Sequence, residues 1–438
     1  MSDKHIKVGM VGFGIVGTGV AKLLTENIET IEQKTGLKLE LAAVVDLDTT
    51  TTREVNLPEG ILSDDLDRIL KDDSIQIGIE LVGGTTVAKD IQIKMLAAGK
   101  NVVTANKALL AEHGAELYAV ARENNKCIAF EASCAGGIPI VSAIRSGLVA
   151  NRIGGLYGIL NGTCNYILWS MTTKGLDFPT ALKQAQDKGY AEADPTLDIN
   201  GSDAAHKLAI LTGLAFGSQV DFEDVYLEGI EGLSIDDIRT GKEMGYTLKL
   251  LAIAEKNDDD RISLRVHPSF IASESALARV DGPFNAVSIF GHAVGQTMFY
   301  GRGAGMMPTA SAVVADIIEI AMGNSKNLFN GQTIKPRNES NLDDIDNLQS
   351  RFYIRLMVED KPGGVAKYTK ILGEYEISIS GVLQHEGAGP DNRVPVVITT
   401  NSTVQKNMTA ALEEVQQLDI ISGKPVCIRI VDIPEDRD

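Results

Sequence analysis

Apolar residues follow two rhythms along this chain. In the first third, short aliphatic runs alternate with stretches whose apolar positions recur every three or four residues, which predicts parallel strands joined by crossover helices. KVGMV, residues 7–11, reads as the first strand and LELAAVV, residues 39–45, as the second. ILSDDLDRILKDDSIQIGIELVGG gives a helix and then a strand, and KDIQIKMLAAGKNVVTANKALLA repeats the arrangement. From about residue 138 the order loosens into GGLYGIL, NGTCNYIL, RISLRVHP and VSIFGH, a mixed α+β pattern. A glycine-rich loop then leads into a helix over about 306–323, placed to return the chain to the first domain. NSKNLFNGQTIKPRNESNLDDIDNLQS is polar and rich in asparagine, so 324–350 reads as a linker. Beyond it, strand, loop, helix and strand are followed by VPVVITT, TAALEEVQQL and VCIRIVD. Two β-α-β units of this size predict a ferredoxin-like sandwich over 351–433.

The expected fold class is therefore α/β. It divides into an N-terminal Rossmann dinucleotide-binding domain, 1–137, a mixed α+β substrate and dimerisation domain, 138–323, and the small C-terminal domain. The 438 residues, 44% of them hydrophobic, suffice for two or three cores. A formal charge of −18 argues against a nucleic-acid surface or an anionic membrane partner. The start MSDKHIKVGM lacks the charged-then-apolar order of a secretion signal, and no apolar run is long enough to span a bilayer. Cys127, Cys134, Cys164 and Cys427 have no paired metal spacing and suit reduced thiols, hence a cytoplasmic location.

Chemistry enters first at GFGIVG. Directly after a strand, Gly12 permits the tight turn, Gly14 lets the backbone approach a pyrophosphate, and Gly17 allows close packing of helix on strand. Ile15 and Val16 complete that seat. Asp46, at the end of the second strand, is placed to accept from an adenosine ribose and to repel a 2′-phosphate. Arg53 is the nearest arginine, beyond a threonine run, so NAD is favoured over NADP. Gly84 and Thr85 follow one strand end and Lys107 another, where open parallel sheets bind ligands.

The second declaration is GYAEADPTLDINGSDAAHK, residues 189–207, which gathers Glu192, Asp194, Asp198 and Asp203 and then places Lys207 four residues after Asp203. A helix starting near Ser202 sets Asp203 and Lys207 on one stripe. Placed in the first turn, against the positive end of the helix dipole, the lysine is expected to lose its proton readily and to exchange it with an alcohol or aldehyde oxygen. Glu192 and Asp198 would receive a fixed positive group on the ligand, while Asp194 is expected to cap a turn before Pro195.

With GFGIVGTGV, TANKALLA, FEASCAGGIPI, LNGTCNYIL, the acidic-to-lysine segment, YGRGAGMMPTASAV and DKPGGVAK in view, the chain resembles homoserine dehydrogenases that carry a C-terminal ACT domain, from about residue 6 to 432. The resemblance implies NAD(P)-dependent interconversion of L-aspartate 4-semialdehyde and L-homoserine in threonine and methionine biosynthesis, by a homodimer or homotetramer. It implies Lys207 as proton donor, Lys107 at the junction of nicotinamide and substrate, Asp203 and Glu192 as substrate contacts, Asp198 as an acidic neighbour, and Gly189 and Gly305 near the cofactor. It further implies a sodium ion on main-chain oxygens of Glu131, Cys134, Gly136 and Ile138, and feedback inhibition by threonine near 360–364. The competing reading is a non-catalytic sensor that binds dinucleotide and an amino acid. A thiolate enzyme would have Cys134 as its one candidate nucleophile.

Overall fold

The computed structural model describes residues 4–257, 259–331, 334–384 and 392–434. The chain forms two compact units, one of Met1–Gly162, Asp203–Val225 and Pro283–Asn338, the other of Thr163–Ser202, Tyr226–Gly282 and Glu339–Asp438.

In the first unit, near-continuous aliphatic runs form a six-stranded parallel sheet in the order Leu62–Ser63, Leu37–Val45, Lys4–Val11, Ile75–Glu80, Asn101–Thr104, Ile128–Ala129. Strands with both faces covered need no polar alternation, and Val8, Met10, Ile79 and Val102 are fully buried. The first two strands begin earlier than their apolar runs, at Lys4 and Leu37, because the ladder is made by backbone groups and continues whatever the side chains. Crossover helices Ile15–Glu26, Thr86–Ala97 and Lys107–Glu123 connect the ladder. Helix Met306–Met322 returns to the sheet and crosses Ile15–Glu26 at Gly19, where a Cβ would lie 2.9 Å from both Met306 Cγ and Ala310 Cβ. Strands Ile153–Ile159, Phe284–Gly291 and Gly295–Arg302 pair antiparallel. The polar segment after Gly323 is folded in its first part. Helix Asn324–Gly331 buries Phe329 edge-on to Tyr118, with ring centroids 5.6 Å apart.

The second unit joins the antiparallel pair Tyr246–Lys256 and Ile262–Ala272 to a C-terminal sheet ordered Val426–Ile430, Gln349–Glu359, Arg393–Thr400, Ile379–Gln384. Helices Gly364–Glu374 and Gln405–Val415 give this segment a βαββαβ order around Phe352, Ile354, Tyr368, Ile398 and Met408. Arg355 grips Asp237 of helix Ile235–Glu243 through two bonds, at 2.5 and 2.9 Å, and Tyr353 donates to the same carboxylate at 2.9 Å. Among the described residues no single helix is long and apolar enough to cross a membrane.

Candidate active site

The glycines of the fingerprint differ in the room around their backbones. Gly12 adopts φ +98°, and a Cβ there would stand 2.6 Å from the Leu81 carbonyl; at Gly17 it would meet Gly12 O at 2.2 Å. Gly14 has open space around it and is the N-cap of the helix that begins at Ile15, with no side-chain cap on this positively polarised end. Ile15 is exposed and Val16 half-buried beside it.

Asp46 closes this seat from the next strand, and its carboxylate is already engaged. Oδ2 accepts from Phe13 N at 2.5 Å and Oδ1 from Asp48 N at 2.8 Å. Arg53, remote by sequence, folds back beyond the threonine run. Its guanidinium lies 4.8 Å from the Phe13 ring centroid, donates through Nε to Phe13 O at 2.8 Å, and stands 4.0 Å from Asp46 Oδ1. A cation therefore sits where a lone acidic residue was expected.

Glu80 organises the adjoining strand ends. Fully buried, it accepts from Val82 N and Gly83 N with one oxygen and from Gln92 and Thr104 with the other, fixing the loop in which Gly83 and Gly84 take left-handed φ of 81° and 71°. Thr85 then leads into helix Thr86–Ala97. Asn106 ties the next loop on: its amide donates to Gly84 O at 2.7 Å and its oxygen accepts from Leu109 N, capping the helix whose first residue is Lys107.

Around that lysine the acid–base cluster closes. Asp203 and Lys207 are one turn apart on helix Ser202–Phe216 and each only 8% exposed. Asp203 Oδ1 meets Lys107 Nζ at 2.6 Å; Oδ2 accepts from Lys207 Nζ at 2.8 Å and from Asn161 Nδ2 at 2.8 Å. Lys207 Nζ also donates to Leu160 O at 2.7 Å, an oxygen that Asn285 Nδ2 reaches at 2.9 Å. Burial works to raise the Asp203 pKa, but the Lys207 and Lys107 ammoniums outweigh it and hold the carboxyl well below its ordinary range. The expectation that Lys207 stands in the first turn of this helix is corrected. The residue lies in the second turn, past the end where the dipole acts, and its N–H groups are met by a carboxylate and a carbonyl. His206, stacked on Phe222 at 4.5 Å, is kept below its usual pKa by burial and by Lys107.

Three residues of this constellation escape sequence reasoning. Asn161 belongs to LNGTCNYIL but carries no chemical signature of its own, Asn285 lies in an ordinary strand, and Leu160 acts through its backbone.

Elsewhere in the first unit, Glu131 Oε1 and Oε2 accept from Val141 N and Ser142 N, both at 2.8 Å, and its own N–H donates to Asp316. Burial raises the pKa of Glu131 and holds that of Asp316 well above its ordinary value. Ala135 and Gly136 both turn through φ of 54°. The Cys134 thiol is fully buried, which pushes its pKa up to about 12 and removes it as a thiolate nucleophile. Gly305, at φ +125°, caps helix Met306–Met322. Glu192, Asp198 and Gly189 belong to the second unit. There Glu192 is exposed, Asp198 lies half-buried in helix Thr196–Ile199 with its carbonyl 3.2 Å from Cys164 Sγ, and Gly189 takes φ +72°. Asp194 accepts from Thr196 N at 3.1 Å and Thr196 Oγ1 at 2.6 Å, a turn cap. Among the described residues no group of three or more His, Cys, Asp or Glu could hold a metal ion.

A family model described as homoserine dehydrogenase matches residues 139–318, and one described as the homoserine dehydrogenase NAD-binding domain matches residues 12–131. The homoserine dehydrogenase of Neisseria gonorrhoeae is 40% identical over 440 residues, spanning 98% of this chain and 99% of its own. That of Helicobacter pylori is 43% identical over 435 residues, with the same shares. The crystal structure of a homoserine dehydrogenase from Thiobacillus denitrificans superposes with a TM-score of 0.87 at 40% identity, covering 98% of this chain and 99% of that one. A hyperthermophilic archaeal homoserine dehydrogenase mutant in complex with NADPH reaches a TM-score of 0.60 at 25% identity over 73% of this chain and 98% of its own.

Proposed function

Because the chain belongs to the homoserine dehydrogenase family, we propose that Lys107, Asp203 and Lys207 handle the proton in the oxidoreduction of L-homoserine and L-aspartate 4-semialdehyde. The chain is an oxidoreductase with an NAD-binding domain. The observation that carries the reading is one buried carboxylate shared by two lysines beside the carboxyl ends of the parallel strands.

A bound nicotinamide coenzyme supplies or accepts hydride at the substrate carbon. Everything else falls to the chain. An ammonium offers three donors; Lys207 commits two, to Leu160 O and Asp203, and the third is available to the substrate oxygen as negative charge develops there. Asp203 fixes both lysine heads and stabilises whichever is charged, so the proton moves between a held ammonium and a held alkoxide with little rearrangement. Glu192 and Asp198 suit the substrate ammonium by charge. The decisive test follows nicotinamide absorbance with L-homoserine. Wild type turns over, while Lys207→Ala loses turnover and keeps its coenzyme affinity. Equal activity in Lys207→Ala would remove this assignment, and silence of the wild type with coenzyme bound would favour the sensor reading.

For the coenzyme, Arg53 offsets the repulsion Asp46 would exert on a 2′-phosphate, which supports use of both NAD and NADP. For sodium, the carbonyls of Glu131 and Ile138 already accept from Cys134 N at 3.3 Å and Ile140 N at 2.8 Å, each retaining a second lone pair. A cation held by these oxygens with those of Cys134 and Gly136 fits the double left-handed turn, and would brace the loop rather than enter the chemistry. The C-terminal βαββαβ segment has ferredoxin-like strand order and is read as an ACT module taking threonine near 360–364, where Asp360 and Asn392 exchange backbone and side-chain bonds. Threonine titration that changes neither rate nor assembly would exclude that role. We assign the enzyme to the cytoplasm, as a homodimer or homotetramer.

A further inference from the structure

Strand Ile262–Ala272 meets the C-terminal sheet in a short parallel pairing, Ser269 with Arg429 and Phe270 with Ile430. Beside this pairing lies a cavity of about 130 Å³, lined among others by Arg265, His267, Arg351, Arg429, Glu255 and Asp432. Three guanidiniums and an imidazole thus face two carboxylates. Residues 265 and 267 alternate along one strand and share a face of the sheet. Burial is nearly complete, with Arg265 4%, Arg429 6% and His267 0% exposed.

A guanidinium has five N–H donors. Arg265 uses one nitrogen on Ser263 Oγ at 3.0 Å and another on Glu255, while its Nε–H finds no acceptor among the described residues. Arg351 and Arg429 are pinned at the rim, the first by Asp432 and Tyr246, the second by Glu228, Tyr226 and Gln405. His267 Nδ1 lies 3.0 Å from Pro268 O, an atom that only accepts, so the ring proton belongs on Nδ1 and Nε2 presents a lone pair. That nitrogen too has no partner among the described residues. Burial, then Arg429 and Arg265, keep the imidazole neutral by holding its pKa well below the ordinary value. One buried unpartnered donor and one buried unpartnered acceptor, on two same-face residues that line the cavity, ask for a ligand that offers both, in a cationic setting too small for a large molecule.

We propose that this cavity binds a small tetrahedral oxyanion of the phosphate class. Its charged oxygens accept from the Arg265 Nε–H and the spare guanidinium donors, and the P–OH of the hydrogen phosphate donates to His267 Nε2. Because the walls come from Ile262–Ala272 and from Gln349–Glu359 and Val426–Ile430 of the C-terminal sheet, the ion ties these strands together and stabilises the folded state by mass action.

The test uses the full chain saturated with NADPH, so that the dinucleotide phosphate seats are filled, in phosphate-free buffer with chloride holding ionic strength constant. Inorganic phosphate is titrated by calorimetry and by thermal melting, with methyl phosphate in parallel. Wild type should show one saturable site and a raised Tm. Arg265→Lys keeps the charge but loses the Nε–H, and should bind about tenfold more weakly, which is about 1.4 kcal/mol. Ser402→Phe, at an exposed position on the lining, fills the cavity without touching a buried charge and should abolish binding. Methyl phosphate binding as well as phosphate extends the ligand to small phosphomonoesters, and its exclusion restricts the site to the free ion; both uphold the proposal. No saturation in the wild type, or an affinity unchanged in both variants, overturns it.

Discussion

Replacing Asp203 with asparagine tests the centre of the site without changing its volume. The carboxylate touches Lys107 at 2.6 Å, and Lys207 and Asn161 at 2.8 Å each, so the amide would keep one acceptor and turn its NH2 toward a cation. Two ammoniums left facing one carboxamide at an effective dielectric of about 20 repel by a few kcal/mol, approaching the roughly 4 kcal/mol expected for a close pair. Lys107 is 38% exposed at its side chain and can swing into water, so the repulsion is partly relieved. Removing one partner of a buried pair costs about 3–5 kcal/mol, and with that relief the expected loss of folding stability is about 2–3 kcal/mol. On the proposed role of Lys207 as proton donor, losing the carboxylate that holds it should lower kcat by about 10²- to 10³-fold. Urea denaturation gives the first quantity and nicotinamide absorbance under saturating substrates the second, with coenzyme affinity as the control. Because the folded pKa is depressed, the stabilisation from Asp203 is complete above the ordinary carboxylate value near about 4 and is lost as pH falls through the folded value. That acid-side slope should vanish in the variant. A kcat within threefold of wild type, at unchanged stability, would refute the shared-carboxylate reasoning.

Other consequences can be checked separately. Gly14→Ala should fold with near wild-type stability yet raise the KM for coenzyme, since its Cβ meets nothing within 4 Å; Gly17→Ala, whose Cβ would lie 2.2 Å from Gly12 O, should lose stability outright in thermal melts. Asp316 has a raised folded pKa, so its contribution is full below about pH 4 and declines as pH rises toward the folded value. Asp316→Asn keeps an acceptor for Glu131 N and should flatten that decline in denaturation series run upward from about pH 4. Arg355→Met strands the buried Asp237 carboxylate with Tyr353 alone and should cost about 3–5 kcal/mol by urea denaturation; a loss under about 1 kcal/mol would show that the latch is solvated.

What the sequence revealed, and what it hid, follow from the range of the interactions. Gly12 and Gly17 are legible because a tight turn and a close helix packing each leave a mark at fixed spacing. The Asp203–Lys207 contact is legible because helix geometry alone brings positions four apart together. Lys107 could be placed at a strand end, but its contact with Asp203 depends on how two distant helices start, one capped by Asn106 and one following Gly201. Arg53 stands apart from Asp46 in sequence across a threonine run, whereas the loop doubles back and stacks the arginine on Phe13. The polar stretch after Gly323 hid a helix, since one buried aromatic, Phe329, is enough to anchor eight residues that composition marks as a tether.

The return of helix Met306–Met322 to the Gly19 crossing sets a clock on biosynthesis. The dinucleotide fingerprint is synthesised well before the surface it must pack against, which is encoded nearly three hundred residues later. At about 5–20 residues per second, the nascent N-terminal sheet waits roughly 15–60 s with one apolar flank uncovered. Truncated chains that stop before this helix should therefore be poor substrates for folding and good ones for chaperones, however complete their glycine motif.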